Sequence, residues 1–204
     1  MTHDKCLLPG LNAAIPTDFV CRLSVEHYHE MARVGILAED APVELLDGWV
    51  APKMIKKPAH SIATELVRKA IEGILPAGWF VRSQEPITLS ASEPEPDAAV
   101  VRGQVRDYRE RHPYSQDVGM VLEVADVSLR RDQTTKKRIY AEAGIAVYWI
   151  VNLVDRRVEV YSDPYGSAES CDYGARRDFG STEAIPLVVQ GRQVGEISAA
   201  TILP

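Results

Sequence analysis

Two carboxylates stand where carboxylates are costly. Asp97 follows Pro96 at the head of the apolar run Ala98-Ala99-Val100-Val101, and Glu123 interrupts the most apolar stretch of the chain, Gly119 to Val127. An ionised group buried without compensation costs on the order of several kcal/mol, so each needs a basic side chain or a cation as partner. A divalent ion would serve both at once. Mg²⁺ prefers hard oxygen ligands, is held by one or two carboxylates and keeps several waters, leaving positions for substrate phosphate and water. The same spacing equally allows Glu123 to be neutralised by a lysine or arginine in a structural ion pair.

Lys136 adds a third member, because phosphodiester hydrolysis needs a positive group to orient or help deprotonate the attacking water and to stabilise developing charge. At about 100° per residue, Ile139, Tyr140 and Ala143 fall within roughly 60° of Lys136, whereas Lys137 points about 100° away. Lys136 therefore lies in the apolar stripe of its helix, close in sequence to the strand that carries Glu123. Glu44, between Val43 and Leu45, is a fourth candidate; its surroundings also fit an exposed strand glutamate. His60, Lys57 and Arg131 are candidates for substrate contact. Lys57 belongs to a basic group with Lys53 and Lys56, and Arg131 to a second with Arg130, Lys136, Lys137 and Arg138. Such groups position a phosphate backbone without reading its sequence. A histidine in a first helical turn and a charged helix face are, however, commonly no more than solvated.

The elements that must carry these residues follow from periodicity. Ser24 is a helix N-cap, and apolar positions continue at helical spacing to about Gly35. Asp47-Gly48 between the apolar runs of Val43 to Val50 predicts a β-hairpin. Ile62, Leu66, Ala70 and Ile74 predict one face of a helix from Ala59 to Ile74. Trp79 to Leu89 reads as extended, broken at Pro86, and Asp97 to Val101 as a short strand. Gly119 to Val127 reads as a buried central strand, Asp132 to Gly144 as a helix closed by glycine, and Ile145 to Leu153 and Val158 to Tyr161 as two strands. Beyond Gly166 the chain is polar to about Ser181, followed by weak strands at Ile185 to Val189 and Val194 to Ile197. This alternation predicts an α/β fold with a central mixed sheet flanked by helices.

Composition sets the outer limits. With 204 residues, 46% hydrophobic and 25% charged, the chain can bury one substantial core. The net charge of −6 argues against a general polyanion-binding surface, so any nucleic-acid contact must come from a local basic patch. Cys6, Cys21 and Cys171 are odd in number and lack metal-type spacing, which fits a reducing cytoplasm. Leu7 and Leu8 are cut short by Pro9 and Gly10, too soon for a signal peptide, and no stretch is long enough to span a membrane. A glycine-rich phosphate loop, a GxSxG elbow and a His/Cys cluster are all missing, which disfavours a small-molecule α/β enzyme.

Several spaced segments carry a resemblance: Val43-Glu44-Leu45-Leu46-Asp47-Gly48, Pro96-Asp97, Leu122-Glu123-Val124-Ala125-Asp126-Val127-Ser128, Asp132 with Lys136, Tyr140-Ala141, Ala143-Gly144-Ile145 and Tyr148-Trp149-Ile150-Val151-Asn152. Together they resemble the restriction-endonuclease-like family long filed as a bacterial domain of unknown function, within the PD-(D/E)XK nuclease superfamily. The resemblance implies a restriction-endonuclease-like fold and a Mg²⁺- or Mn²⁺-dependent endonuclease acting on DNA. It implies Asp97 and Glu123 as metal ligands with Glu44 as an accessory one, Lys136 as the lysine, and pairing into a homodimer. Two positions depart from the pattern. Ala125 stands where the superfamily has its lysine, so Lys136 must supply it from the following helix; Ala146 and Val147 replace the family's proline and glutamate. The expected organisation is an irregular N-terminal arm over 1–22, the restriction-endonuclease-like domain over 23–165 and a C-terminal β extension over 166–204 packed on the same domain. The competing expectation is a nuclease-fold module without turnover that binds nucleic acid or protein.

Overall fold

The computed structural model describes residues 20–38, 40–167 and 170–204. The expected N-terminal arm, with Cys6, lies almost wholly outside the described residues. At the first helix, Ser24 has extended backbone and its hydroxyl accepts from the His27 N–H, which satisfies an otherwise orphaned donor; α1 then runs Val25–Arg33. Strands β1 (Val43–Leu46) and β2 (Trp49–Pro52) form the expected hairpin. Asp47 and Gly48 both have positive φ, 51° and 77°, the backbone that a tight two-residue turn requires.

The core is a six-stranded sheet in the order β3-β4-β5-β6-β7-β8, comprising Trp79–Arg82, Ala98–Arg102, Val118–Ala125, Val147–Asn152, Arg157–Tyr165 and Asp172–Gly180. Only β5 and β6 pair in parallel; the remaining neighbours are antiparallel. Every residue of β5 and β6 is buried, which is why both read as continuous apolar runs. One sheet face packs Met120, Leu122, Val124 and Trp149 against helix α2 (Pro58–Glu72) and the hairpin β9-β10 (Ala184–Val189, Arg192–Ser198). The opposite face packs Val121, Ala125, Tyr148 and Ile150 against Ile139, Tyr140 and Ala141 of α4 (Lys137–Glu142). The architecture is the expected mixed sheet covered by helices. Among the described residues no helix is long and apolar enough to cross a membrane.

Three details differ from the sequence reading, and each has a physical reason. Helix α2 buries His60, Ala63, Thr64, Val67 and Ile71, while Ile62 and Leu66 are exposed. A strict four-residue spacing drifts by about 40° per step, so the 62/66/70/74 series spirals off any single face, whereas alternating steps of three and four stay on one. Strand β8 occupies a segment that reads as polar. It is an edge strand with an exposed middle, held by Tyr173 and Phe179 at its ends, so it lacks the alternation that betrays a half-buried strand. The helix expected from Asp132 begins earlier, as α3 (Leu129–Arg131), and passes into α4 through a wide π turn, Asp132–Lys136, in which the Lys137 N–H reaches the Asp132 carbonyl five residues back.

Candidate active site

The antiparallel register brings the two key carboxylates together. Ala98 sits opposite Leu122, so Asp97, just before β4, falls beside Glu123. Side chains alternate along a strand; Glu123 therefore shares the sheet face of Val121 and Ala125, beneath the helical layer. There the Lys136 Nζ lies 2.9 Å from Glu123 Oε1 and 3.1 Å from Glu44 Oε2. The Tyr140 hydroxyl donates to the same Glu123 oxygen at 2.6 Å. Glu44 is 3% exposed, so the exposed-strand alternative for it is excluded. Its Oε2 also accepts from the Glu95 N–H at 3.3 Å.

Asp97 is held from three sides. Its Oδ2 accepts from the Val124 N–H at 2.9 Å and lies 3.1 Å from His60 Nε2, and its Oδ1 lies 3.5 Å from Lys56 Nζ. His60 reaches it because it belongs to the buried face of α2. Of the other two residues expected to contact substrate, Lys57 pairs with Asp126 at 2.8 Å. Arg131 donates to the Pro52 carbonyl at 2.7 Å, with Glu44 at 3.7 Å. Apart from Tyr140, these side chains line one cleft, open to solvent, together with Lys53, Glu95, Asp132 and the apolar Met54, Ile55 and Val127. All seven residues singled out from the sequence, Glu44, Lys57, His60, Asp97, Glu123, Arg131 and Lys136, border it. Lys137 turns the other way, 2.7 Å from Asp172 and over the Tyr161 ring.

The buried part of the cleft holds more acid than base. Glu44, Asp97, Glu123 and Asp132 are buried, against Lys136 as the buried ammonium. Burial pushes Glu123 up to about 8; Lys136 opposes that shift, and Asp132, Asp97 and Glu44 add to it. Asp132 is raised to about 6 for the same leading reason. Burial disfavours the charged form of Lys136, but Glu123, Glu44 and Asp132 outweigh it and keep the ammonium protonated. At Asp97 burial is likewise outweighed, by His60, the Val124 N–H and Lys56, and its carboxyl lies below the ordinary range. Burial holds the Tyr140 phenol well above its usual value, so it remains a donor.

No three His, Cys, Asp or Glu side chains among the described residues form a ready-made metal cage. Mg²⁺ sites rarely take that form, since one or two carboxylates, waters and substrate oxygens complete the shell. The hard oxygens of Asp97 and Glu123, in a buried cluster with more acids than ammonium groups, fit such an ion. Sequence reasoning did not single out Asp132 or Tyr140 as site members. Tyr140 sits one helical turn beyond Lys136, which is a usable signal. Asp132 also lies one turn from Lys136, yet an aspartate near a helix start reads equally well as a favourable charge at the helix dipole.

Comparison with known proteins agrees with this fold. No curated protein matches the chain. A solved structure described as "a putative nuclease belonging to DUF820", from Anabaena variabilis, is similar with a TM-score of 0.63 at 14% identity, covering 88% of this chain and 97% of that one. That likeness shows a shared fold. The model of the Uma2 family, described as "Putative restriction endonuclease", matches residues 25–195. With most of its length matched, strands, helices and cleft included, the chain belongs to the Uma2 family of restriction-endonuclease-like proteins.

Proposed function

We propose that the protein is a Mg²⁺- or Mn²⁺-dependent endonuclease that hydrolyses DNA phosphodiester bonds in the cleft between β1, β4, β5 and the π turn. The observation that carries this reading is the convergence of the buried Asp97, Glu123, Glu44 and Lys136 in a single cleft bordered by lysines and arginine. Asp97 and Glu123 would hold the ion, with Glu44 as an accessory ligand. Such an ion, when bound, supplies Lewis-acid charge beside the phosphate and the attacking water. Lys136 presents a protonated ammonium, able to orient that water or stabilise charge developing on phosphate. Glu44 fixes the ammonium together with Glu123, Tyr140 orients Glu123, and His60 orients Asp97. Lys53, Lys56, Lys57 and Arg131 at the cleft wall are suited to contact a phosphate backbone, which an overall charge of −6 would otherwise repel. Two copies paired as a homodimer would present two such clefts to the two strands of a duplex.

An ion that binds only the native state stabilises it by mass action. At about a hundred times its Kd, Mn²⁺ contributes about 2.7 kcal/mol, a rise in melting temperature of roughly 5–10 °C for a chain of this size. That rise is expected for the wild type and should vanish in Asp97→Asn, which keeps an acceptor for the Val124 N–H. Equal rises in both proteins, or none in the wild type, would remove the metal site from the proposal.

A further inference from the structure

One buried acceptor in the cleft has nothing to accept. Asp132 is 2% exposed and borders the cleft with Glu44, Asp97 and Glu123, yet among the described residues its Oδ2 has no hydrogen-bond partner. The rest of the residue is fixed. Its backbone N–H donates to the Ser128 carbonyl at 3.1 Å, and its own carbonyl accepts from the Tyr148 hydroxyl at 3.1 Å. The next residue, Gln133, donates to both oxygens of the buried Glu159, at 2.9 and 3.0 Å. Lys136, at the far end of the π turn, is tied to Glu123 and Glu44. A π turn inserts an extra residue into a helix and is concentrated at functional positions. Here it directs Asp132 and Lys136 into the cleft while Gln133 reaches Glu159. An unpartnered buried oxygen is rare in folded proteins and calls for an explanation such as an ion or ordered water.

We infer that Asp132 belongs to the divalent-cation site, its Oδ2 accepting a hydrogen bond from a water of the ion's hydration shell. The inference rests on the proposed metal reading. Mg²⁺ and Mn²⁺ sites of this kind retain bound waters, and a water polarised by a dication is a strong donor. Asp132 is thus a positioning residue: it orients the hydration shell while Asp97 and Glu123 bind the ion. A purely structural aspartate would be satisfied within the protein. Asp132 meets the Ser128 side chain, neighbouring carboxylates and the single ammonium of Lys136, which is already shared between two other acids, and its Oδ2 is left over.

Isothermal titration with MnCl₂ tests this on wild type, Asp132→Asn and Glu123→Gln, with the melting temperature of each taken in EDTA. Asp132→Asn preserves volume but removes charge and one acceptor. Its Kd for Mn²⁺ should rise roughly 10- to 100-fold, the usual range for a residue that supports a metal's ligands and waters. Its melting temperature in EDTA should equal or exceed the wild-type value, because an acid-rich cluster loses one charge. A wild-type Kd in Asp132→Asn, alongside weakened binding by Glu123→Gln, overturns the inference and leaves the metal reading intact. A fall in the EDTA melting temperature, or failure to fold, makes Asp132 a structural group and overturns it equally. No Mn²⁺ binding by the wild type removes the metal reading, and the inference with it.

Discussion

Lys136→Ala is expected to lower DNA cleavage by roughly 100- to 1,000-fold, the scale on which removal of one preorganised charge-stabilising group acts. Lys137→Ala should stay within a few-fold of wild type, because its ammonium faces Asp172 and Tyr161 on the far side of the helix. Cleavage time courses in Mg²⁺ and Mn²⁺ for the wild type and both variants check this, with circular dichroism to confirm folding. The lysine also neutralises buried acid. Removing it leaves Glu123 and Glu44 facing each other without a cation, a change that typically costs about 3–5 kcal/mol. Lys136→Ala should therefore melt lower in EDTA and recover much of that loss on adding Mn²⁺, which can occupy the same acidic cleft. Unimpaired cutting by Lys136→Ala, or loss of cutting in Lys137→Ala instead, would refute the role given to the lysine.

Glu123→Gln separates a catalytic carboxylate from a structural ion pair. Glutamine keeps the volume, and its carbonyl oxygen can still accept from the Tyr140 hydroxyl that now donates at 2.6 Å. What disappears is a carboxyl group, its pKa raised to about 8, that can ionise onto a cation, in a cleft where among the described residues four buried acids face one buried ammonium. The fold should survive, with a melting temperature in EDTA near the wild-type value, while cleavage falls by roughly 100-fold or more and the Mn²⁺-induced rise in melting temperature is lost. Unfolding of Glu123→Gln would show that the Lys136–Glu123 pair exists to hold β5 against the helix.

The legible parts of the sequence are those where one local rule acts alone. Burial on both faces makes β5 and β6 apolar throughout, so a glutamate within β5 is conspicuous. Helical spacing separates Lys136 from Lys137 because their directions differ by about 100°. Other features depend on long-range context. The face that α2 buries is set by its fit to the sheet and to β9-β10, and it is this face, carrying His60, that meets Asp97. Strand β8 needs β7 as a template, since its exposed Arg176 and Arg177 give no apolar period of their own. The π turn leaves no periodic mark, because one extra residue is absorbed within a single turn. Asp132 enters the family resemblance through its spacing from Lys136, but its place in the cleft shows only in the unpartnered oxygen, since a helix-start aspartate has an ordinary local role as well.

The central claim is that this cleft hydrolyses DNA with a divalent cation, and the most direct test is wild-type cleavage of plasmid and single-stranded DNA in Mg²⁺, Mn²⁺ or EDTA. The account predicts nicked or fragmented product that accumulates with time in Mg²⁺ or Mn²⁺ and none in EDTA. Cleavage that persists in EDTA would contradict the metal-dependent mechanism; no cleavage of either DNA with either ion would instead favour a nuclease-fold binding module without turnover.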